Sequence, residues 1–460
     1  MPGPGRVRGP ESVLGREVAA TTRLAVPLVG GQLAQMGLNF VDTVMAGNLG
    51  PRELAAVAVG GSVWGALQLF DFGVLLAVPP TVAQMDGAGR RERVGPFVRQ
   101  AAWLALALAA VTALALWNAR PLLELVEVEP EIVPLAAGYL RALAWGVPAW
   151  ALYLLLRFTS EGTGATRPIL YFGLLGLPVN AFANWVLMYG HLGMPRLGAI
   201  GCGHATAVVW TAQLVAMTIY VRRHRRYRDL ALFARLEPPA RRRLAEVLRL
   251  GLPVGLMLFV EASIFTVVAL AIGSLGTVAV AGHQVAFSFA ALAFMVPLGI
   301  SMAITVRVGH AVGRRDPSAV RRAAGVGAAL ALASQAVAAA LMLLFPRAVA
   351  GFYTNDPAVL AVAVDLLFFA ALFQLSDGLQ VCAAGALRGV KDTRVPMAIV
   401  VVAYWLVGLP LGLGLAFPGG LGPRGLWIGL IAALTVVGLL LAVRFHRVSA
   451  HPERWPAAAP

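Results

Sequence analysis

Twelve separate stretches of this 460-residue chain are apolar for long enough to cross a hydrocarbon layer of about 30 Å, which a helix spans in about 20 residues. They cover roughly 22–46, 54–81, 97–118, 132–156, 168–190, 198–221, 249–273, 280–306, 323–346, 358–387, 395–417 and 425–445. Hydrophobic residues make up 59% of the chain and charged residues 13%, whereas a soluble domain is about 25% charged, so no water-filled surroundings account for this pattern. In lipid each span must satisfy its own backbone hydrogen bonds, which makes the spans helices and the chain an all-α polytopic membrane protein.

The spans fall into two halves that align on one another. Arg23-Leu24-Ala25-Val26-Pro27 is answered 226 positions later by Arg249-Leu250-Gly251-Leu252-Pro253, and Gly47, Leu49, Gly50, Ser62 and Gly87 by Gly273, Leu275, Gly276, Ser288 and Gly313. Towards the ends of the halves the register shifts by one, so that Gly162, Thr166, Arg167 and Gly198 meet Gly389, Thr393, Arg394 and Gly425. Six spans return each half to the face on which it began. The repeats are therefore parallel, related by an axis along the membrane normal, an arrangement found in transporters. The organisation expected is an N-terminal lobe over 1–221, a basic connector over 222–248, and a C-terminal lobe with a short tail over 249–460.

The loops orient this arrangement. Of 37 basic residues, Arg52, Arg120, Arg196, Arg347 and Arg424 fall on one side and Arg141 within a span, which leaves 31 on the other. The positive-inside rule makes that side, with both termini, cytoplasmic, and places the chain in the cell's inner membrane. The first twenty residues hold Arg6, Arg8 and Arg16 but no apolar run, so the first span, and no cleavable signal, is expected to direct insertion. The connector, with Arg222-Arg223-His224-Arg225-Arg226 and Arg241-Arg242-Arg243, reads as a flexible linker resting on anionic lipid, which makes membrane lipids a partner.

Several function classes drop out. A net charge of +15 raises nucleic acid, but the basic residues lie between apolar runs and form no single groove. Cys202 and Cys382 sit inside apolar segments without metal-ligand spacing, no Walker sequence supports an ATP-driven pump, and no nucleophile constellation supports an enzyme. No catalytic residues and no cofactor are expected.

What remains is a set of carboxylates at membrane depth: Asp42, Asp71, Glu261, Asp365 and Asp377. An ionised group at a helix centre costs about 2.5–3.5 kcal/mol on the insertion scale, so such groups line cavities or pair. Gln35, Asn39 and Asp42 share one helix face, and Asn180, Asn184 and Thr206 offer amide and hydroxyl groups that suit a hard cation or a protonated carboxyl equally. A polar seam between helices is the structural alternative. In the second half, Glu261 faces a stripe of Gln374, Asp377 and Gln380 with no Lys or Arg in the same spans, an outline of a proton or sodium site. Asp71 and Asp365 stand alone. Asp356 before Pro357 reads as a helix N-cap, and His283 as a hydrogen-bonded interface residue.

The run Gln35-Met36-Gly37-Leu38-Asn39-Phe40-Val41-Asp42-Thr43-Val44-Met45-Ala46-Gly47 resembles the first helix of the multidrug and toxic compound extrusion (MATE) transporters, NorM-like branch. Val82-Ala83-Gln84 with Gly87-Ala88-Gly89-Arg90, Glu161-Gly162-Thr163-Gly164 with Thr166-Arg167-Pro168, Ala281-Gly282-His283-Gln284-Val285-Ala286 and Gly385-Ala386-Leu387-Arg388-Gly389 resemble further motifs of that family, in the same order. The resemblance implies a V-shaped pair of six-helix lobes and a monomer that expels cationic, amphipathic small molecules against returning Na+ or H+. It implies a coupling site at Glu261 and Asp377, where a sodium ion would be liganded directly, and a second at Asp42, Asn180, Asn184 and Thr206. Gln35, Asn39, Gln284 and Asp356 are candidate substrate contacts, with the drug cavity between the lobes. A flippase for a lipid-linked precursor and, more remotely, an ion channel are the alternatives; the first would have extra helices and a cationic cavity, the second a ring of filter groups.

Overall fold

Residues 13–235 and 237–455 are described in the structure, a computed structural model; Arg6 and Arg8 lie outside the described residues. Among the described residues, twelve helices are long and apolar enough to cross a membrane: α1 Val13–Leu49, α2 Pro51–Gly87, α3 Arg91–Trp117, α4 Val133–Gly162, α5 Arg167–Leu187, α6 Gly198–Arg223, α7 Arg241–Gly273, α8 Thr277–Gly313, α9 Pro317–Leu344, α10 Pro357–Gly389, α11 Arg394–Ala416 and α12 Pro423–Ser449. Among the described residues there is no β-strand. Most helices outrun the apolar stretches that announced them, because the last polar turns of a membrane helix project past the hydrocarbon. Thus α1 starts at Val13 and α8 runs on to Gly313.

Local sequence sets the helix ends. Gly50 (φ 137°) and Gly276 (φ 111°) occupy equivalent places in the two repeats and turn the first helix of each into the second, a backbone conformation that side-chain-bearing residues rarely adopt. Proline opens α2, α9, α10 and α12, where its missing N–H costs nothing. Asp316 and Asp356 cap α9 and α10 by accepting from Ala319 N (2.9 Å) and from Ala358 N (2.8 Å) and Val359 N (3.1 Å). Two spans are irregular. The α-helical hydrogen bonding of α2 is interrupted at Leu76–Ala77, just before Pro79-Pro80, and α11 contains a π-helical turn over Val402–Gly408. Pro27 lies inside α1 without ending it.

The two halves meet between mid-membrane and the face on which α1 begins and α12 ends. A Cβ on Gly251 would lie 2.0 Å from the Val74 carbonyl oxygen, and one on Gly299 would lie 2.5 Å from a Val29 methyl. Nearer that face, a Cβ on Gly87 would meet the His310 carbonyl at 2.3 Å, and one on Gly313 the Gln84 carbonyl at 2.3 Å. Only glycine permits backbones this close. Polar bonds cross the same seam: Arg307 grips Glu17 in a fork (2.8 Å to each oxygen), Gln84 Nε2 donates to the Gly389 carbonyl (2.8 Å), and His310 Nε2 lies 3.1 Å from Asp86 Oδ2. The lobes are closed on this face.

The segment joining them is not a loose tether. Tyr227, Leu230 and Leu232 are buried, Arg99 binds the Ala231 carbonyl and Glu237 (both 2.6 Å), and Trp103 Nε1 donates to the Glu237 carbonyl (2.8 Å). Arg99 and Arg235 hold the Glu237 carboxyl down at about 2, so this clamp persists at every physiological pH. The connector, expected to be a flexible linker resting on anionic lipid, is instead held on α3 of the first half. Two of the arginines assigned to loops are also interior. Arg157 is buried in α4 on Glu161 (2.9 Å) and Gln32 (2.7 Å), and Arg388 is buried at the end of α10.

Replacing Arg307 by leucine leaves the Glu17 carboxylate at the seam without its fork, a change that costs roughly 3 kcal/mol when a buried pair loses one member. The expected outcome is an opening of the closed face, read as a longer spin-label distance between Glu92→Cys and Arg314→Cys in the Arg307→Leu protein. An unchanged distance distribution would show that the fork does not hold the lobes.

Candidate cation-coupling sites

In the second lobe, Glu261 lies eight residues beyond Pro253, deep in α7. Its Oε1 accepts from Gln380 Nε2 of α10 at 2.9 Å. The Tyr404 hydroxyl lies 3.3 Å from the same oxygen and 3.1 Å from Gln380 Oε1, and with one proton it donates to one of them at a time. Tyr404 is wholly buried and sits in the π turn of α11. Sequence reasoning missed it; its only signal was a phenol inside an apolar span. Asp377 is buried beside this group without a hydrogen-bond partner among the described residues, and it lines the same cavity as Glu261.

That cavity has a volume of about 260 Å³ and is walled by Met257, Phe265, Phe287, Phe294, Met302 and Phe373 of the second lobe. Leu69, Phe72 and Leu76 of α2 complete it. It therefore lies inside the second lobe with one wall from the first, and not midway between them. Arg388 also lines it, donating through Nη2 to Ser301 Oγ (2.9 Å), and its Nε has no partner. The expectation that no basic residue approaches the carboxylates is thus wrong, because the last turn of α10 carries Arg388 into the lobe. With Glu261 and Asp377 ionised against Arg388, the cavity bears a net charge of −1, which one monovalent cation or proton neutralises.

The first lobe holds a different arrangement. Asp42 Oδ1 accepts from Asn180 Nδ2 (2.9 Å) and Asn184 Nδ2 (2.7 Å), and the Thr206 hydroxyl lies 3.3 Å from Oδ2 and 3.1 Å from the Cys202 carbonyl, donating to one of them at a time, so α1, α5 and α6 meet as the sequence led us to expect. The Asn184 Oδ1 is buried with no partner. The two sites are not repeat mates. At the internal offset, Asp42, Asn180, Asn184 and Thr206 correspond to Val268, Val407, Leu411 and Ala433, and Glu261 and Asp377 to Gln35 and Trp150. Trp150 stands in a cluster with Trp64 and Trp210 at centroid separations of 5.3 and 6.4 Å.

Other sequence candidates lie elsewhere. Gln35 and Asn39 make no bond to Asp42, whose Oδ1 is taken by the α5 asparagines, and the Asn39 side chain is exposed. Gln284 is exposed and reaches only Ser288 (3.4 Å), and Asp356 spends its Oδ1 on the α10 cap; neither lines the cavity. Gln374 turns from the expected stripe towards Gln335 and the Ala290 carbonyl. Asp71 is buried and accepts from Thr112 (2.7 Å), and Asp365 pairs with Arg424 (2.6 Å). His283 packs on Phe287 and Trp427 with its Nδ1 unpartnered, and not as a hydrogen-bonded residue.

The family profile described as MatE matches this chain twice, over residues 27–186 and 253–413. The multidrug resistance protein PmpM of Pseudomonas aeruginosa is 47% identical over 436 residues, 94% of this chain and 91% of that one. A probable multidrug resistance protein NorM of Xanthomonas axonopodis is 46% identical over 433 residues, 94% of each chain. Among solved structures, a eukaryotic MATE transporter, AtDTX14, superposes with a TM-score of 0.85 at 19% identity, covering 96% of this chain and all of that one. A MATE transporter in an outward-facing conformation gives 0.87 at 20%, covering 95% and 97%. The chain is a multi-pass membrane protein of the MATE transporter family.

Proposed function

We propose that this protein is a secondary multidrug antiporter of the cell's inner membrane, with both termini cytoplasmic, acting as a monomer and performing no covalent chemistry. It exports cationic, amphipathic compounds in exchange for H+ or Na+, with Glu261 and Asp377 as the coupling pair. The observation that carries this reading is the cavity that combines two carboxyl groups and one guanidinium with a lining of phenylalanine and methionine. Aromatic faces attract a delocalised cation, and thioethers adapt to its shape. Resistance relatives of high identity support export of drugs.

The physical logic is competition. A single excess negative charge admits either a small cation or a drug cation at full electrostatic gain, so by linkage each weakens the other. Because α2 of the first lobe forms one wall, occupancy of the cavity and the position of that lobe depend on one another. A sodium ion at Glu261 would take the Tyr404 hydroxyl oxygen as a further ligand and the Gln380 oxygen once that amide turns over, whereas a protonated Glu261 keeps Gln380 Nε2 as a donor to Oε1. The Asp42 cluster is a second protonation site: a proton on Oδ2 leaves Oδ1 to accept from Asn180 and Asn184, and the Thr206 hydroxyl beside Oδ2 can accept from it while donating to the Cys202 carbonyl.

Purified protein in liposomes, loaded with a fluorescent cation and given separate proton and sodium gradients, tests this directly. Efflux should follow at least one gradient, and Glu261→Gln and Asp377→Asn should each abolish the coupled part while the protein remains inserted. Undiminished coupled efflux in both variants would overturn the assignment. Asp42→Asn keeps the shape but fixes the hydrogen-bond pattern of an uncharged group, so the pH profile of transport should flatten. A variant with an unaltered profile would remove Asp42 from the mechanism.

A further inference from the structure

A second, larger cavity of about 700 Å³ lies wholly in the first lobe and the connector, remote from the coupling pair. Its deep part is apolar, made by Leu106 of α3, Leu152, Leu155 and Leu156 of α4 and Leu214 of α6. Its other end is rimmed by Arg99, Arg222 and Arg235 with a single carboxylate, Glu237. From Arg222 back to Leu214 the cavity runs along eight residues of helix, roughly 12 Å at 1.5 Å per residue.

The charges at the rim are not balanced among themselves. Glu237 takes Arg99 (2.6 Å), Arg235 (2.9 Å) and, more loosely, Arg243 (3.5 Å), and Arg222 has no carboxylate partner among the described residues, resting instead over the Phe233 ring at 4.7 Å. Three arginines against one glutamate leave an excess of two positive charges at the mouth of an apolar slot. The mouth lies on the face that carries the termini, where α6 ends and α3 begins, and Trp103 and Phe233 stand exposed beside it. Aromatic rings and arginines at one level, with leucines beneath, mirror the profile of one leaflet: headgroup, interface, acyl chain.

We propose that this cavity is a binding site for an anionic phospholipid of that leaflet, its phosphate held by Arg222 and Arg235 and an acyl chain laid against Leu155, Leu156 and Leu214. A drug cation is excluded by the sign of the rim, and a soluble phosphate ester leaves the apolar slot unfilled. The lipid would join α3, α4 and α6 to the connector from outside, so it would stabilise the first lobe and the docking of the connector while leaving the chemistry of Glu261 and Asp377 untouched.

Native mass spectrometry of the full-length protein in detergent, titrated with phosphatidylglycerol or phosphatidylcholine of matched chains, tests this. Phosphatidylglycerol should be retained preferentially and should raise the melting temperature. Arg222→Gln and Arg235→Gln should each lower that preference about fivefold. Leu155→Trp fills the slot without altering charge and should reduce retention of both lipids. Equal retention of the two lipids by the native protein, an unchanged preference in both arginine variants, or displacement of the lipid by inorganic phosphate alone would overturn the proposal. Should one arginine variant not fold, the Leu155→Trp protein decides: undiminished phosphatidylglycerol retention there excludes the slot.

Discussion

Three ionisable side chains in one apolar lobe have to come to an electrostatic balance, and the proposed coupling site is built on that balance. Each charge taken from water into a bundle interior costs free energy that only an opposite charge or aligned dipoles recover. Arg388 offsets one of the two carboxylates. Gln380 and Tyr404 aim dipoles at Glu261, whereas Asp377 has no such help. With both carboxylates ionised, the remaining unit of negative charge would have to be met by a proton or a cation, which on the proposed mechanism distinguishes this site from a structural ion pair. The first lobe makes the contrast plain. There Arg157 and Glu161 neutralise one another at 2.9 Å, and no cation is called for. Glu161 and Arg388 are repeat mates of opposite sign.

Duplication thus supplied the frame, and divergence the function. The helix turns at Gly50 and Gly276 and the paired motifs at the helix ends keep the two lobes alike in path. The interior positions do not match: a carboxylate in one repeat stands opposite tryptophan or valine in the other. The proposed proton or sodium sites, one per lobe and at different places, would let occupancy act on the lobes unequally. The closed seam, with glycine-allowed backbone contact reinforced by Glu17–Arg307, is the contact that such an inequality would have to open on the proposed mechanism.

Much of this was legible in the sequence. Hydropathy marks membrane helices because the bilayer leaves no other way to satisfy the backbone, and the repeat register places Gly50 and Gly276 without coordinates. Asp42 with Asn180, Asn184 and Thr206, and Glu261 with Asp377 and Gln380, followed from the rule that polar groups at membrane depth seek one another. What stayed hidden depended on where helices end and which way they turn. Arg388 looked like a loop charge because α10 runs on past its apolar stretch. Tyr404 gave no polar neighbour to announce it, since its partners come from α7 and α10. Gln35 and Asn39 lie on the expected helix but lost Asp42 to α5, which is a matter of packing and not of spacing. The connector read as loose because its anchors, Arg99 and Trp103, are scattered 130 residues and more upstream.

The central claim is that the second lobe carries one uncompensated negative charge shared by ion and drug. The most direct test is the stoichiometry of exchange at equilibrium: binding of a fluorescent monovalent cation to purified protein, measured across a range of proton and of sodium concentrations. The account predicts that, for the coupling ion, the apparent drug Kd rises in direct proportion to ion concentration once the ion saturates, with one ion released per drug bound and no release in Asp377→Asn. A drug affinity independent of both ions, or the release of two charges per drug, would contradict it.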